Sequence, residues 1–191
     1  MPTIDLSRTQ KYLEWLKTKL FLDSRASSAA RRVVLRGDVY KCNLGVGIGS
    51  EENKERPCLI IQYDVANINS PNTIVAPITH TASTIPVVVP ISDKYDSAGN
   101  VVLDGHVLLG NMVCVSKARL GDFVSKLDSA EMIAVDKAIA TSLDIKHYYD
   151  KLINIHEDKL EYVIKLKEKI EQLNNEIKLK DEEIKYLKEK S

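Results

Sequence analysis

The stretch Lys54-Glu55-Arg56-Pro57-Cys58-Leu59-Ile60-Ile61-Gln62-Tyr63-Asp64 decides the fold. It sets a charged lip, an arginine and a proline against the apolar run Cys58–Ile61. A short apolar run bounded by polar residues reads as a buried strand. Pro57 biases Arg56 toward extended backbone angles. A guanidinium is thus expected at the mouth of a core strand.

Working outward, similar runs recur between turn residues: VVLRGDVYKCNL (33–44), TIVAPIT (73–79), IPVVVPI (85–91), NVVLDG (100–105) and HVLLGNMVCV (106–115). Short β-rich runs at this spacing predict a compact all-β barrel or small sandwich. Pro86 and Pro90 bracket Val87-Val88-Val89 and mark an edge or bent strand. Ala98-Gly99-Asn100 reads as a turn. A helix follows, with Asp128 and Glu131 at capping-box spacing and an apolar stripe of Met132, Val135, Ile139 and Leu143.

Both ends of the chain read as helical. Residues 4–22 carry capping-box spacing at Ser7 and Gln10, with Leu6, Leu13, Leu16 and Leu20 on one face. Ser24–Ala30 is small and polar and reads as a linker. The last forty-odd residues hold no Gly or Pro. With Val163 at heptad position a, Ile170, Ile177 and Ile184 follow at a, and Leu166, Leu173, Lys180 and Leu187 fall at d. Ile at a with Leu at d favours a parallel two-stranded coiled coil, which Lys180 interrupts. Three segments are therefore expected: a helical extension and linker over 1–30, a β-rich domain over 31–146, and a coiled-coil helix over 147–191.

Lys plus Arg and Asp plus Glu balance at 27 each, and none of the three segments departs from balance by more than two charges. This argues against broad duplex binding by counterion release, while leaving room for a site that grips a few nucleotides. No apolar run approaches a membrane span, and MPTIDLSRTQK shows no apolar signal region, so no membrane association is expected. Cys42, Cys58 and Cys114 form no C-x-x-C pair and no metal-ligand spacing. A reduced, cytoplasmic setting is expected, with no metal and no cofactor.

Three constellations carry possible chemistry. Gly45-Val46-Gly47-Ile48-Gly49 invites a phosphate-loop reading, but no helix and no Lys-Ser/Thr pair follow, so a mobile inter-strand loop fits better. His80 at the end of one strand and His106 at the start of another could act as acid and base, although surface strand ends are the plainer reading. Arg56 and Thr79 each sit at the end of an apolar strand, and a guanidinium and a hydroxyl meeting at one rim could grip a phosphate.

These segments resemble the MazF/PemK toxin family of bacterial toxin–antitoxin systems. The resemblance runs through Arg36-Gly37-Asp38-Val39-Tyr40, Gly49-Ser50-Glu51, Arg56–Asp64, Asn69–Thr79, Val107-Leu108-Leu109, Lys117-Ala118-Arg119-Leu120 and the helix holding Ser142-Leu143. It covers roughly residues 36–145. It implies an SH3-like barrel of the CcdB/PemK type with appended helices, mainly β with α, forming a homodimer. It also implies a metal-independent endoribonuclease cutting single-stranded RNA by 2′-hydroxyl attack, leaving 2′,3′-cyclic phosphate and 5′-hydroxyl ends. Carried onto this sequence, the catalytic residues are Arg56 and Thr79, and the RNA contacts are Ser50, Glu51, Gln62 and Asn111. The implied partners are single-stranded RNA and an antitoxin protein; the heptad pattern, which lies outside the resemblance, adds an expected association through the 163–190 coil.

The chain departs from the family after Leu108-Leu109. Members of the closest type carry Glu-Gln and then an arginine, where this chain reads Gly110-Asn111-Met112-Val113. Asn111 keeps an amide, but Val113 offers no guanidinium. A second reading follows, in which a weak or inactive scaffold binds RNA or protein through its coil. A topoisomerase poison is a third class, disfavoured because the chain runs on into a long charged helix.

Overall fold

The computed structural model describes residues 5–190, apart from the side chains of residues 186, 189 and 190. Residues 1–4 and 191, included in the terminal helical assignments above, lie outside the described residues. The chain divides into two compact units between Asp144 and Ile145.

The first unit is built on a curled antiparallel sheet, a half-barrel of seven strands. They are β1 (Asp38–Asn43), β2 (Glu55–Ile60), β3 (Asn72–Thr79), β4 (Val88–Tyr95), β5 (Val101–Leu108), β6 (Val113–Ser116) and β7 (Leu120–Lys126). The order is β4-β5-β3-β2-β1-β7, with β6 also paired to β3. Register shifts in the β1–β7 and β4–β5 pairs mark bulges, which bend and twist a sheet. The proline-bracketed run is indeed the edge strand, β4.

The apolar run of β2 is continuous because both of its faces are covered. Leu59 joins Val39, Ala76, Ile78, Val107 and Leu109 beneath Val135 and Ala138 of a helix, α4 (Ser129–Ser142). Cys58 and Ile60 point the other way, into Val34, Tyr40, Cys42, Val75, Val115 and Leu120. A strand buried on one face only would alternate. The capping box of α4 forms as its spacing predicts. The Asp128 carboxylate accepts from the Glu131 amide at 2.9 Å, and Glu131 accepts from the Asp128 amide at 2.9 Å. Along the predicted stripe, Val135 is fully buried while Leu143 is exposed.

Several expectations need correction. His106 does not begin a strand: β5 runs through it, and a 3-10 turn at Leu109–Asn111 separates β5 from β6. Strand β7 gave no alternating signal, because Gly121, Asp122 and Phe123 are all exposed. Ser24–Ala30 is not an open linker but contains the helical turn α2 (Ala26–Ala29). The helix α1 (Leu6–Ser24) is capped by Asp5, whose carboxylate accepts from the amides of Ser7 (2.9 Å) and Arg8 (3.3 Å). Ser7 lies inside the first turn. Its leucine stripe faces solvent, and the half-buried positions are instead Trp15, Thr18, Leu22 and then Ala26 and Ala29 of α2. The short helix α3 (Asp64–Asn69) went unread.

The second unit is one continuous helix, α5 (Lys146–Lys190). Val163, Leu166, Ile170, Leu173 and Ile177 are all exposed along it.

Candidate active site

Antiparallel pairing of β2 and β3 puts Arg56 and Thr79 at the same end of adjacent strands. β2 and β3 pair Cys58 with Pro77, Leu59 with Ala76 and Ile60 with Val75. The pairing stops there, two residues short of Arg56 and Thr79, which lie at that same end of the two strands. Arg56 is paired with Cys42 of β1, and Thr79 with His106 of β5. Residues directly opposite share a face of the sheet and every second residue returns to it, so Arg56, Thr79 and His106 lie on one face. A phosphate bound at this end of the sheet would meet the Arg56, Thr79 and His106 side chains from the same face. Glycine at 105 is required here: its φ is +108°, and a Cβ would stand 2.4 Å from the Thr79 carbonyl oxygen.

The Leu44–Lys54 loop holds Arg56 by one edge. Its Nε–H donates to the Asn53 carbonyl at 3.2 Å. Glu52 Oε2 lies 2.9 Å from the same nitrogen, yet this buried oxygen has no hydrogen-bond partner among the described residues. The carboxylate therefore meets Arg56 as a charge contact only. The Arg56 side chain is 35% exposed, so it is open to a ligand in solution. Behind it, hydrogen bonding with Cys42 and then burial push the Cys58 thiol upward. Cys58 is no thiolate nucleophile.

Ser50, Glu51 and Asn111 meet in a cavity of about 390 Å³, lined also by Glu52, Pro77 and Val113. The turn displaying Ser50 is closed internally: the Ile48 amide donates to Glu51 Oε2 at 2.8 Å, and the Glu51 amide to the Ile48 carbonyl at 3.2 Å. One oxygen of Glu51 is thus committed to loop shape, while Ser50 is exposed.

Gln62 does not join this cluster. It lies six residues beyond Arg56, about 20 Å along an extended chain at roughly 3.3 Å per residue. Its side chain donates to Asn67 Oδ1 (3.2 Å) and to the Asn72 carbonyl (3.3 Å). Asn67 is fully buried, accepts from Thr73 Oγ1 at 2.8 Å and donates to the Gln62 carbonyl at 2.8 Å. Buried Lys117 donates to the Asn67 carbonyl, and burial lowers its pKa. Gln62 thus belongs to a structural network under α3.

The two histidines are not a pair. His80 is exposed, with Nδ1 3.2 Å from Asp104 Oδ1. His106 stands beside Thr79, its Nδ1 buried without a partner among the described residues. Among the described residues, no three His, Cys, Asp or Glu side chains gather as a metal site. Sequence reasoning missed Glu52. Its four-residue spacing from Arg56 was legible, but its contact arises in a loop rather than on a helix face.

Residues 35–143 match the family described as PemK-like, MazF-like toxin of type II toxin–antitoxin systems. The chain belongs to this family. It is 38% identical over 113 residues to the endoribonuclease EndoA of Bacillus subtilis, covering 58% of this chain and 95% of that protein. It is 36% identical over 118 residues to the endoribonuclease MazF of Staphylococcus epidermidis, covering 61% and 96%. The crystal structure of MazF from Deinococcus radiodurans shares the fold, at TM-score 0.52 and 18% identity, over 59% of this chain and 98% of that one. The MazF-like region thus starts just before β1 and ends with α4, leaving α1, α2 and α5 as additions of this chain.

Proposed function

We propose that this chain is an endoribonuclease toxin of a type II toxin–antitoxin system, cutting single-stranded RNA without a metal ion. The observation that carries the reading is that Arg56 and Thr79 lie at the same end of the paired strands β2 and β3, next in the chain to a cavity lined by Ser50, Glu51, Glu52, Pro77 and Asn111. The endoribonuclease names of EndoA and MazF support it. A bent RNA strand lays its scissile phosphate over Thr79. The ribose 2′-oxygen attacks phosphorus, the O2′–P bond forms, and the P–O5′ bond breaks. The 2′-proton passes to solvent, and the 5′-oxygen takes a proton from water, leaving a 2′,3′-cyclic phosphate and a 5′-hydroxyl.

Arg56 stabilises the charge that builds on the phosphorane. Its Nε edge is held by Asn53 and Glu52, so the Nη groups serve the phosphate oxygens. Arginine stays protonated at neutral pH and is a poor free base. Thr79 Oγ1 donates to a non-bridging oxygen. Losing one preorganised donor of this kind costs about 10²–10³ in rate. Ser50, Glu51 and Asn111 hold the neighbouring nucleotide.

In this reading the protein pairs through its half-barrel. An antitoxin lays an acidic and apolar segment across that dimer and blocks RNA. The exposed α5 seam from Val163 to Leu187 adds a parallel coiled-coil contact, and the setting is the cytoplasm. Gly110 and Val113 line the cavity and supply neither carboxylate nor guanidinium. They favour the rival scaffold reading. The test is long single-stranded RNA in EDTA with the purified chain, Arg56→Ala and Thr79→Ala. Cleavage by the parent, lost in both variants, is expected. Equal background degradation by all three would sink the reading.

A further inference from the structure

The helix α1 lies outside the family match, yet one side of it is pressed onto the neck of the active-site loop. A Cβ on Gly45 would stand 2.5 Å from the Trp15 ring, and Gly45 has φ +88°. Only glycine lets the indole come this close. The Arg119 guanidinium lies 5.1 Å from the Trp15 ring centroid. It donates to the carbonyls of Asn43 (3.1 Å) and Leu44 (3.3 Å), the end of β1 and the start of the loop. Two backbone hydrogen bonds close the neck at the same level, Leu44 N–H to Lys54 O (2.9 Å) and Lys54 N–H to Gly45 O (2.7 Å). Arg56 follows two residues later.

A loop with three glycines has much conformational freedom to lose. Glu52 and Asn53 can hold the Nε edge of Arg56 only if that loop keeps one shape. The indole fixes its neck from one side and, stacked on Arg119, braces the donor that fixes it from below. We propose that Trp15 is a positioning residue: the N-terminal helix is a strap that sets the Leu44–Lys54 loop and, through it, the orientation of Arg56. This rests on the ribonuclease reading of the site. It assigns α1, which the family match does not cover, a role in that reaction. Misplacing a catalytic group by about 1 Å can cost 10²-fold in rate. The loss should fall mainly on kcat, because Arg56 acts on the transition state.

The test compares the full chain with Trp15→Ala and Trp15→Phe. Circular dichroism first establishes that each variant is folded at the assay temperature. Amide hydrogen exchange is then read over residues 44–54 against β3 as an internal control, beside steady-state RNA cleavage that separates kcat from KM. The strap predicts loop exchange at least about tenfold faster in Trp15→Ala, β3 unchanged, and a kcat lowered about 10- to 100-fold. Trp15→Phe keeps an aromatic face for Arg119 and should restore most of both. If Trp15→Ala does not fold, Trp15→Leu replaces it with the same readouts. Unchanged loop exchange overturns the strap, and so does faster exchange with unaltered kcat. If the parent chain cleaves no RNA, the ribonuclease reading fails, while the exchange arm still decides whether the strap exists.

Discussion

Glu131→Gln should remove an electrostatic pin between α4 and the sheet. Glu131 does more than close a capping box. It accepts from the Ser92 amide (2.9 Å) and hydroxyl (2.6 Å) of β4, and from Lys94 Nζ (2.7 Å). Burial raises its carboxyl pKa, but hydrogen bonds from Lys94, Ser92 and the Asp128 amide outweigh that and hold it at about 2. The ordinary value is 4.5. At about 1.4 kcal/mol per pH unit, the ionised carboxylate contributes about 3 kcal/mol at most. The side chain is only 11% exposed, so solvent screening removes little of this. The folded-state pKa is depressed, so this stability is fully present above pH 4.5 and is lost as pH falls toward 2. Urea unfolding at several pH values is the assay. Near pH 7, Glu131→Gln should lose about 2–3 kcal/mol. The gap between parent and variant should close between pH 4.5 and about 2. A gap that is absent at pH 7, or constant down to pH 2.5, would refute this reasoning.

Two further substitutions separate the site from its support. Gly105→Ala puts a Cβ on the Thr79 carbonyl and a side chain at φ +108°; a loss of about 2–4 kcal/mol in thermal or urea unfolding is expected, and a loss under 0.5 kcal/mol would mean the strands part freely there. Asn67→Ala leaves Thr73 and Gln62 without their buried partner, so a loss of about 2–3 kcal/mol is expected. Gln62→Ala should likewise show its effect in unfolding rather than in the KM for RNA, and the reverse result would return Gln62 to the RNA site.

Much of this architecture was legible in the sequence because it is local. Cys58–Ile61 announced a buried strand, Asp128 and Glu131 announced the start of α4, and Pro86 and Pro90 announced an edge or bent strand. The unread parts depend on distant residues. Strand β7 exposes three successive residues, so it carries no period of two. The leucine stripe of α1 pointed the wrong way, since that helix docks through Trp15, Thr18 and Leu22 rather than through Leu6, Leu13, Leu16 and Leu20. At the site, Arg56 and Thr79 were each visible as strand ends, but that they share one end and one face follows from pairing across β2 and β3. Gln62 lay within a matching motif, and only the Asn67 network showed what it holds.

The central claim is that Arg56 and Thr79 serve attack by a ribose 2′-hydroxyl. The most direct measurement uses a short single-stranded RNA that the protein cuts once, beside the same strand with one 2′-deoxyribose at the cut nucleotide, both in EDTA. The account predicts cleavage of the first to a 2′,3′-cyclic phosphate and a 5′-hydroxyl, and an intact second strand. Cleavage of the deoxy-substituted strand at that position, or products bearing a 5′-phosphate, would contradict it.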